Sequence, residues 1–548
     1  MSTAGAGKER SRSAADGASE VAPQQRNLAR QGSVIAALTG LSRVSGFLRD
    51  ILLSYLFGAS ALADAFFVAF KIPNFFRRLF AEGAFSQAFV PILARYRERP
   101  FQELLGFVSR MFGNLALVLV LVTVIGWIYA AGLVTVFAPG FLDEPARFTL
   151  TVDLVRIVLP YLTCISLVAL ASSILNAHDR FALPAFAPVV LNLCMICAAL
   201  LAIGTSGNGT VPGIGAAGRE SVAILAWGVL IAGLVQLVLL LPPLKRLGLL
   251  TRPRLSLRDP GVRDVGRLLP PALFAASVAQ INTLVDTILA SLLITGSISW
   301  LYYADRMLEL PIGLVAVTLG TVLLPNLSRL AAADDPERFR ATVDWGVRVA
   351  LLLALPAAVA LYVLALPIIA TMFRHGAATA VDAQMAALAL KVLATGLFGW
   401  VLIKVLAPAY FAHKDTATPF RYGVAAVALN IGGNLALYQT FGHVGLALAT
   451  AASGWLNAGL LLRGLVRNGR YSPSTEARQT LVKVVLASAA MAGVLLFGTA
   501  GTETLWLAGS ILGRVALLLV LVAAGAATYA LVLLALGVRP SALRYRLQ

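Results

Sequence analysis

Between Ser42 and Pro91 the chain reads SRVSGFLRDILLSYLFGASALADAFFVAFKIPNFFRRLFAEGAFSQAFVP. The stretch is apolar enough to lie in a bilayer, yet it carries Arg43, Arg49, Asp50, Asp64, Lys71, Arg77, Arg78 and Glu82. An ionisable side chain at the centre of a membrane helix costs about 3 kcal/mol on insertion scales. Three or four arginines facing lipid would therefore cost on the order of 10 kcal/mol. Such groups have to face one another or a water-filled space, so the stretch calls for helices enclosing a polar, cation-rich chamber.

The remainder of the chain agrees. Its 548 residues are 59% hydrophobic and 13% charged, with a mean hydropathy of +0.83, whereas soluble chains carry about 25% charged residues. The net charge of +18 sits mostly in short loops between apolar spans. Charge placed there sets topology, and without an RNA- or DNA-binding motif it does not indicate a nucleic-acid partner. Cys164, Cys194 and Cys197 lie in apolar spans, and the single CxxC lacks the second pair that a zinc site needs. Residues 1–30, rich in Ala, Gly, Ser, Gln and Arg, read as a disordered cytoplasmic tail rather than a signal peptide.

A spanning helix needs about 20 mostly apolar residues. Windows of that kind centre near residues 45, 70, 120, 163, 193, 233, 280, 312, 358, 396, 428, 453, 488 and 521, giving fourteen spans. Basic segments precede the odd-numbered ones: Arg95, Arg97 and Arg99, then Lys245 to Arg263, then Arg463 to Arg478. The alternate loops, such as 294–297 and 502–504, are short and nearly neutral. The positive-inside rule then puts both termini in the cytoplasm and makes the number of spans even.

The chain also repeats itself. NAHDRFALP at 176–184 is echoed by FAHKDTATP at 411–419, with the histidines 235 residues apart. Pro73 in FKIP and Pro311 in LELP are 238 apart, and Asp50 matches Asp286. These similarities predict two six-helix halves, 31–250 and 251–470, followed by two extra helices and a short cytoplasmic tail in 471–548. An even number of helices per half makes the repeats parallel, an arrangement in which the substrate chamber lies between them and one half rocks against the other. The expected fold is an all-α polytopic membrane protein of about fourteen helices, with a central cationic cavity.

Residues three, four or seven apart share a helix face. Ser42 and Arg49 fall on one stripe with Arg43 adjacent, Asn74 and Arg77 on another with Glu82 beyond, and Ser299, Arg306 and Glu309 repeat the idea in the other half. The planar fork of arginine suits bidentate contact with phosphate. Arg43, Arg49, Arg77 and Arg306 therefore form a candidate pyrophosphate clamp, which Asp64, Glu82 and Glu309 would orient or bridge between halves. The competing reading is that these charges only pin helices together, and Lys71 and Arg78 are candidates for snorkelling to an interface. Ala81–Pro91, with Gly83, reads either as a broken element lining a cavity, and so a gate hinge, or as a plain loop. Asp286, Asn430, Asn434 and Thr450 offer hard oxygen ligands for a small cation such as Na⁺, although interhelical hydrogen bonding explains Asn and Thr equally well. None of the four histidines has metal-ligand spacing, and no GxSxG, HExxH or P-loop is present, so a transporter rather than an enzyme is expected.

LSRVSGFLRD, DAFFVAFKIPNFFRRLFAEGAFSQAFVPIL, SWLYYADRMLELP, KVLAPAYFAHKDTATP and NAHDRFALPAFAP resemble the MurJ (MviN) family of bacterial lipid II flippases. The resemblance covers the chain from about residue 30. It implies a fourteen-helix member of the exporter superfamily that includes multidrug and polysaccharide flippases, residing in the bacterial inner membrane. The implied substrate is lipid II, moved to the periplasmic leaflet for peptidoglycan synthesis. Family functional positions fall on Ser42, Arg43, Arg49, Asp64, Asn74, Arg77, Glu82, Ser299 and Arg306. A sodium site reported for some relatives falls near Asp286, Asn430, Asn434 and Thr450, with Asn434 standing where the family pattern has a carboxylate. The last two helices would groove the polyprenyl tail. No cofactor is expected. Na⁺ or the membrane potential would supply the drive, and membrane lipids and the cell-wall synthesis machinery are the other expected partners. The rival readings are a flippase or exporter for another polyprenyl-linked glycan or small molecule, and a non-transporting cell-wall scaffold.

Overall fold

The computed structural model describes residues 6–79, 85–206, 209–210 and 213–538. In the first half lie α1 (Ala6–Phe57), α2 (Ala61–Leu79), α3 (Phe85–Arg97), α4 (Phe101–Ile128), α5 (Ala130–Phe137), α6 (Pro145–Val158), α7 (Tyr161–Ala177), α8 (Ala182–Thr205) and α9 (Ala216–Arg246). The second half holds α10 (Pro260–Ser291), α11 (Ser297–Ala332), α12 (Pro336–Val363), α13 (Ala365–Phe373), α14 (Ala380–Phe411) and α15 (Ala417–Arg467), and α16 (Thr475–Thr499), α17 (Glu503–Ala508) and α18 (Ile511–Ala535) follow. The chain is an all-α polytopic membrane protein. Each of the fourteen centres read from the sequence falls inside a helix, two of them in α15, which Gly442 breaks with a left-handed φ of 57°. Nine helical segments among the described residues are long and apolar enough to cross a membrane, with α6 and α7 counted together and α15 counted once.

Local chemistry fixes the ends. Asp259, Asp335, Ser474 and Ser510 accept a backbone N–H from the first turn of α10, α12, α16 and α18, and Thr379 with Asp382 closes a capping box on α14. Asp415, before α15, accepts the Thr418 N–H at 3.0 Å, which holds its carboxyl below the usual range. Helical backbone begins at Ala6, inside the stretch that composition marked as a disordered tail. Low hydrophobicity argues against a packed core there, but Ala, Glu, Gln and Arg are good helix formers, and the segment is continuous with the apolar part of α1. Of the Ala81–Pro91 segment, Phe85 to Pro91 belongs to α3, whose Phe85, Phe89 and Leu93 are buried against Phe107 and Leu104 of α4.

Helix packing recurs between the halves. α1 packs on α8 as α10 packs on the first part of α15; α4 on α7 as α12 on α14; and α7 on α9 as α14 on α15. Each half also has a short helix after its third span, α5 and α13. Leu121, Ile125, Leu200, Ile231, Leu519 and Leu531 are exposed, which suits an outer surface bathed in lipid tails. We call the end of the bundle that carries the α3–α4, α7–α8 and α9–α10 connections the basic end, and its opposite the far end.

α18 is tied to the second half by Arg514, 4% exposed, which donates to the carbonyls of Ala370 (2.7 Å) and Arg374 (3.1 Å) at the end of α13. Hydrogen bonds from a charged group contribute about 1.5–3 kcal/mol each. Arg514→Leu is expected to lower the melting temperature of the purified protein in detergent while leaving its helical circular dichroism unchanged.

Candidate functional site

The polar residues of α1 converge on one fully buried carboxylate, Asp50. Arg49 donates to Asp50 Oδ1 through both Nε (2.9 Å) and Nη2 (2.7 Å). Arg306, from α11 in the other half, brings its Nε within 2.6 Å of Asp50 Oδ2. The Tyr302 hydroxyl donates to Oδ1 at 2.9 Å and accepts from Arg49 Nη2 at 3.1 Å. Arg49 Nη1 reaches Asn192 Oδ1 of α8 at 3.0 Å, and the Asn192 amide donates to the Ser42 carbonyl (2.8 Å) and Ser45 Oγ (3.2 Å). Arg306 also pairs with Glu309, whose carbonyl accepts from Arg43 Nη1 at 2.9 Å. Three arginines thus face two carboxylates, leaving one positive charge in excess where the halves meet. Small residues make this possible: a Cβ on Gly46 would overlap the Arg306 guanidinium, and one on Gly313 that of Arg43.

On α2, Arg77 Nε donates to Asn74 Oδ1 at 3.0 Å, and the Asn74 amide donates to the Phe70 carbonyl at 2.9 Å, so Asn74 orients Arg77. Lys71 does not snorkel. Its Nζ donates instead to Thr287 Oγ1 on α10, in the opposite half, at 3.2 Å. Glu82 and Gly83 lie outside the described residues.

Asp64 and Ser299 form a separate cluster at the far end. Asp64 is fully buried and ion-paired with Arg147 of α6 at 2.6 Å. It accepts the backbone N–H groups of Gly296 (2.7 Å) and Ser299 (2.9 Å) and the Ser299 hydroxyl (2.5 Å). A carboxylate of the first half therefore caps the N-terminus of α11 in the second, where orphan donors and the helix dipole favour negative charge. Arg147 lies over the Phe141 ring and also reaches Thr295 Oγ1 at 3.3 Å.

Asp286, Asn430, Asn434 and Thr450 come together as one hydrogen-bonded chain. Asn434 Nδ2 donates to Asp286 Oδ1 (2.6 Å) and to Asn430 Oδ1 (2.8 Å), and the Asn430 amide meets Thr450 Oγ1 at 3.0 Å. Turned over, that amide would instead donate to Asp286 Oδ1 and to Asn282 Oδ1 and accept from Thr450. The buried Asn434 Oδ1 has no hydrogen-bond partner among the described residues, so the donor set fits a small cation that would be held by these oxygens. The α10–α15 pair carrying this cluster is the counterpart of the α1–α8 pair carrying Arg49 and Asn192.

The sequence reading missed Tyr302, Asn192 and Arg147 as site residues and did not pair Asp50 with Arg49. Neighbours in sequence do not share a helix face, but the long arginine side chain folds back along α1. YYADR and the Asn in the α8 span were the available signals; Arg147 carried none, standing beside a Pro and Glu144 in a segment that reads as a loop.

A family model described as "Lipid II flippase MurJ" matches residues 53–517. The chain is 42% identical over 523 residues to a probable lipid II flippase MurJ of Vibrio cholerae, covering 94% of this chain and 97% of that one. It is 38% identical to the lipid II flippase MurJ of Burkholderia cenocepacia, with 95% and 99% covered. A solved structure titled lipid II flippase MurJ, inward closed conformation, superposes with a TM-score of 0.74 at 26% identity, over 91% of this chain and 97% of that one. An inward-facing multidrug resistance MATE family transporter of the MOP superfamily shares the fold, with a TM-score of 0.62 at 15% identity and 80% and 98% covered.

Two sets of substitutions test the geometry. Gly46→Ala should push Arg306 off Asp50 and abolish function while the protein inserts normally; Gly40→Ala, with open space around it, should be silent in the same complementation assay. Asp64→Asn leaves the buried Arg147 charge only the half-exposed Glu144, 3.2 Å from its Nη1, so the loss should fall somewhat below the about 3–5 kcal/mol of a fully uncompensated charge, and adding Arg147→Met should recover part of it in a detergent melting series.

Proposed function

Because the chain belongs to the lipid II flippase MurJ family, we propose that it moves lipid II from the cytoplasmic to the periplasmic leaflet of the bacterial inner membrane by alternating access. In this reading the basic end, with both termini, faces the cytoplasm and the far end faces the periplasm, as the placement of arginines between spans supports. The observation that carries the reading is the meeting of Arg49 and Arg306, one from each half, on the Asp50 carboxylate.

The chemistry follows from that contact. Asp50 holds the place of an anion while the site has no substrate. A diphosphate presents several oxygens and more charge than one carboxylate, so it competes for the same guanidinium forks bidentately. Arg43, bound to the Glu309 carbonyl, would extend the cationic surface from the Arg49–Arg306 pair, Arg77 would add a further cation from α2, and Glu82 and Glu309 are the carboxylates that would exchange partners as the halves move. Substrate binding would then loosen the α1–α11 contact that Asp50 makes, linking occupancy to release of the halves. The polyprenyl tail would stay in lipid along α16 and α18. Asp286, Asn430, Asn434 and Thr450 would hold the coupling cation. Moving one charge through the membrane field is worth about 2.3 kcal/mol per 100 mV, so that ion or the potential on the excess positive charge would drive the cycle.

In a strain depleted of other flippases, withdrawing the protein should leave lipid II confined to the inner leaflet, as read by an outer-leaflet labelling assay; unchanged exposure would overturn the transport reading. Arg43→Ala, Arg49→Ala and Arg306→Ala should each lower flipping by at least about tenfold, since charge-assisted contacts contribute roughly 1.5–3 kcal/mol. Full activity in all three would reduce the arginines to helix pins.

A further inference from the structure

At the far end the halves touch through two backbone contacts related by the same internal offset. Gly140, in the turn Pro139–Asp143 after α5, packs on the C-terminal end of α10; its N–H donates to Ser291 Oγ at 3.2 Å. A Cβ there would overlap the Ser291 carbonyl, with the Ser291 carbonyl carbon at 2.5 Å and Leu292 Cα at 2.8 Å. Gly376, after α13, packs in the same way on the C-terminal end of α1. A Cβ there would overlap the Tyr55 carbonyl and lie 2.8 Å from Tyr55 Cδ2. Next to it the Ala377 N–H donates to the Tyr55 carbonyl at 2.8 Å, and Ser54 Oγ donates to the Phe373 carbonyl at 2.7 Å. Gly140 and Gly376 are 236 residues apart, as are Tyr55 and Ser291. Each half's turn after its short helix therefore clasps the first helix of the other half.

We propose that Gly140 and Gly376 are positioning residues of the transport cycle, a symmetric pair of backbone stops that set how tightly the far end closes. The inference rests on the alternating-access reading. Two features support it. Backbone held against backbone cannot yield by changing rotamer, so the contact is either fully made or broken, as a two-state gate requires. The same end also carries the Asp64 cap on α11 and the Tyr303 hydroxyl donating to the Gly58 carbonyl at 2.9 Å, so the clasps belong to a wider set of contacts between the halves. Gly376 has a φ of +57°, which an L side chain would strain as well; Gly140 has no such constraint and is the cleaner test.

The experiment places a single cysteine at Ser297, which is 1% exposed at this seam, in a chain whose Cys164, Cys194 and Cys197 are serine. Labelling by a membrane-impermeant maleimide from the outer face is compared with lipid II flipping by the same variants in vesicles. Gly140→Ala and Gly376→Ala should each raise the labelling rate about tenfold, the scale of an overpacked contact. Gly132→Ala, with nothing within 4 Å of its Cβ, should leave it unchanged. Should the alanine variants not accumulate in the membrane, Ser291→Ala and Ser54→Ala remove one clasp hydrogen bond each without adding bulk, and should raise labelling about threefold. Unchanged labelling in all of these, at normal expression, overturns the clasp. Raised labelling with flipping undiminished upholds the clasp and instead counts against alternating access.

Discussion

One buried carboxylate, Asp50, decides whether the two halves can meet between α1 and α11. Arg49 and Arg306 would repel each other across the gap between α1 and α11 if Asp50 did not lie between them. Neither guanidinium can shed its proton to escape that repulsion, so the contact has to be made through an anion. The surrounding packing serves this arrangement: Gly46 and Gly313 leave room for the guanidinium groups, Asn192 holds Arg49 from α8, and Tyr302 closes the ring of donors.

The far end follows a different logic. Asp64 is satisfied by Arg147 within its own half and by three donors from α11 across the seam. If the halves part, only the neutral donors are lost, and the carboxylate keeps its cation. That makes separation cheaper than breaking a buried ion pair, which would leave an uncompensated charge at a cost of about 3–5 kcal/mol. The two seams thus differ in kind, with ion pairs through Asp50 between α1 and α11 and neutral hydrogen bonds and backbone contacts at the far end.

Much of this was legible in the residues. Charge inside an apolar stretch has few physical outlets, so the helix count, the polar face of α1 and the partnership with Arg306 all followed from spacing and cost. The four oxygen-bearing residues Asp286, Asn430, Asn434 and Thr450 were grouped by type and came together on α10 and α15. Side-chain reach was harder to read. A rule built on Cβ directions misses Arg49 folding back to its neighbour Asp50, sends Lys71 towards an interface rather than to Thr287 in the other half, and has no reason to select Arg147. Nor could pattern alone separate Asp64 and Ser299 from the arginine cluster, since the distance along the membrane between Asp64 and Asp50 depends on how the α1–α2 connection at Gly58 turns.

The repeat places different polar chemistry on corresponding helix pairs. The α1–α8 pair presents Arg49 and Asn192; its counterpart, α10 with the first part of α15, presents Asp286, Asn430 and Asn434. Asp50 and Asp286 occupy corresponding positions, 236 residues apart, but one lies among guanidinium groups and the other among amides. The contact between the first and fifth helix is thus cationic in one half and rich in amide and carboxylate oxygens in the other. Lys71 of the first half reaches Thr287, the residue beside Asp286. The position of α2 against α10 thus sets part of the electrostatic field at the oxygen-rich cluster.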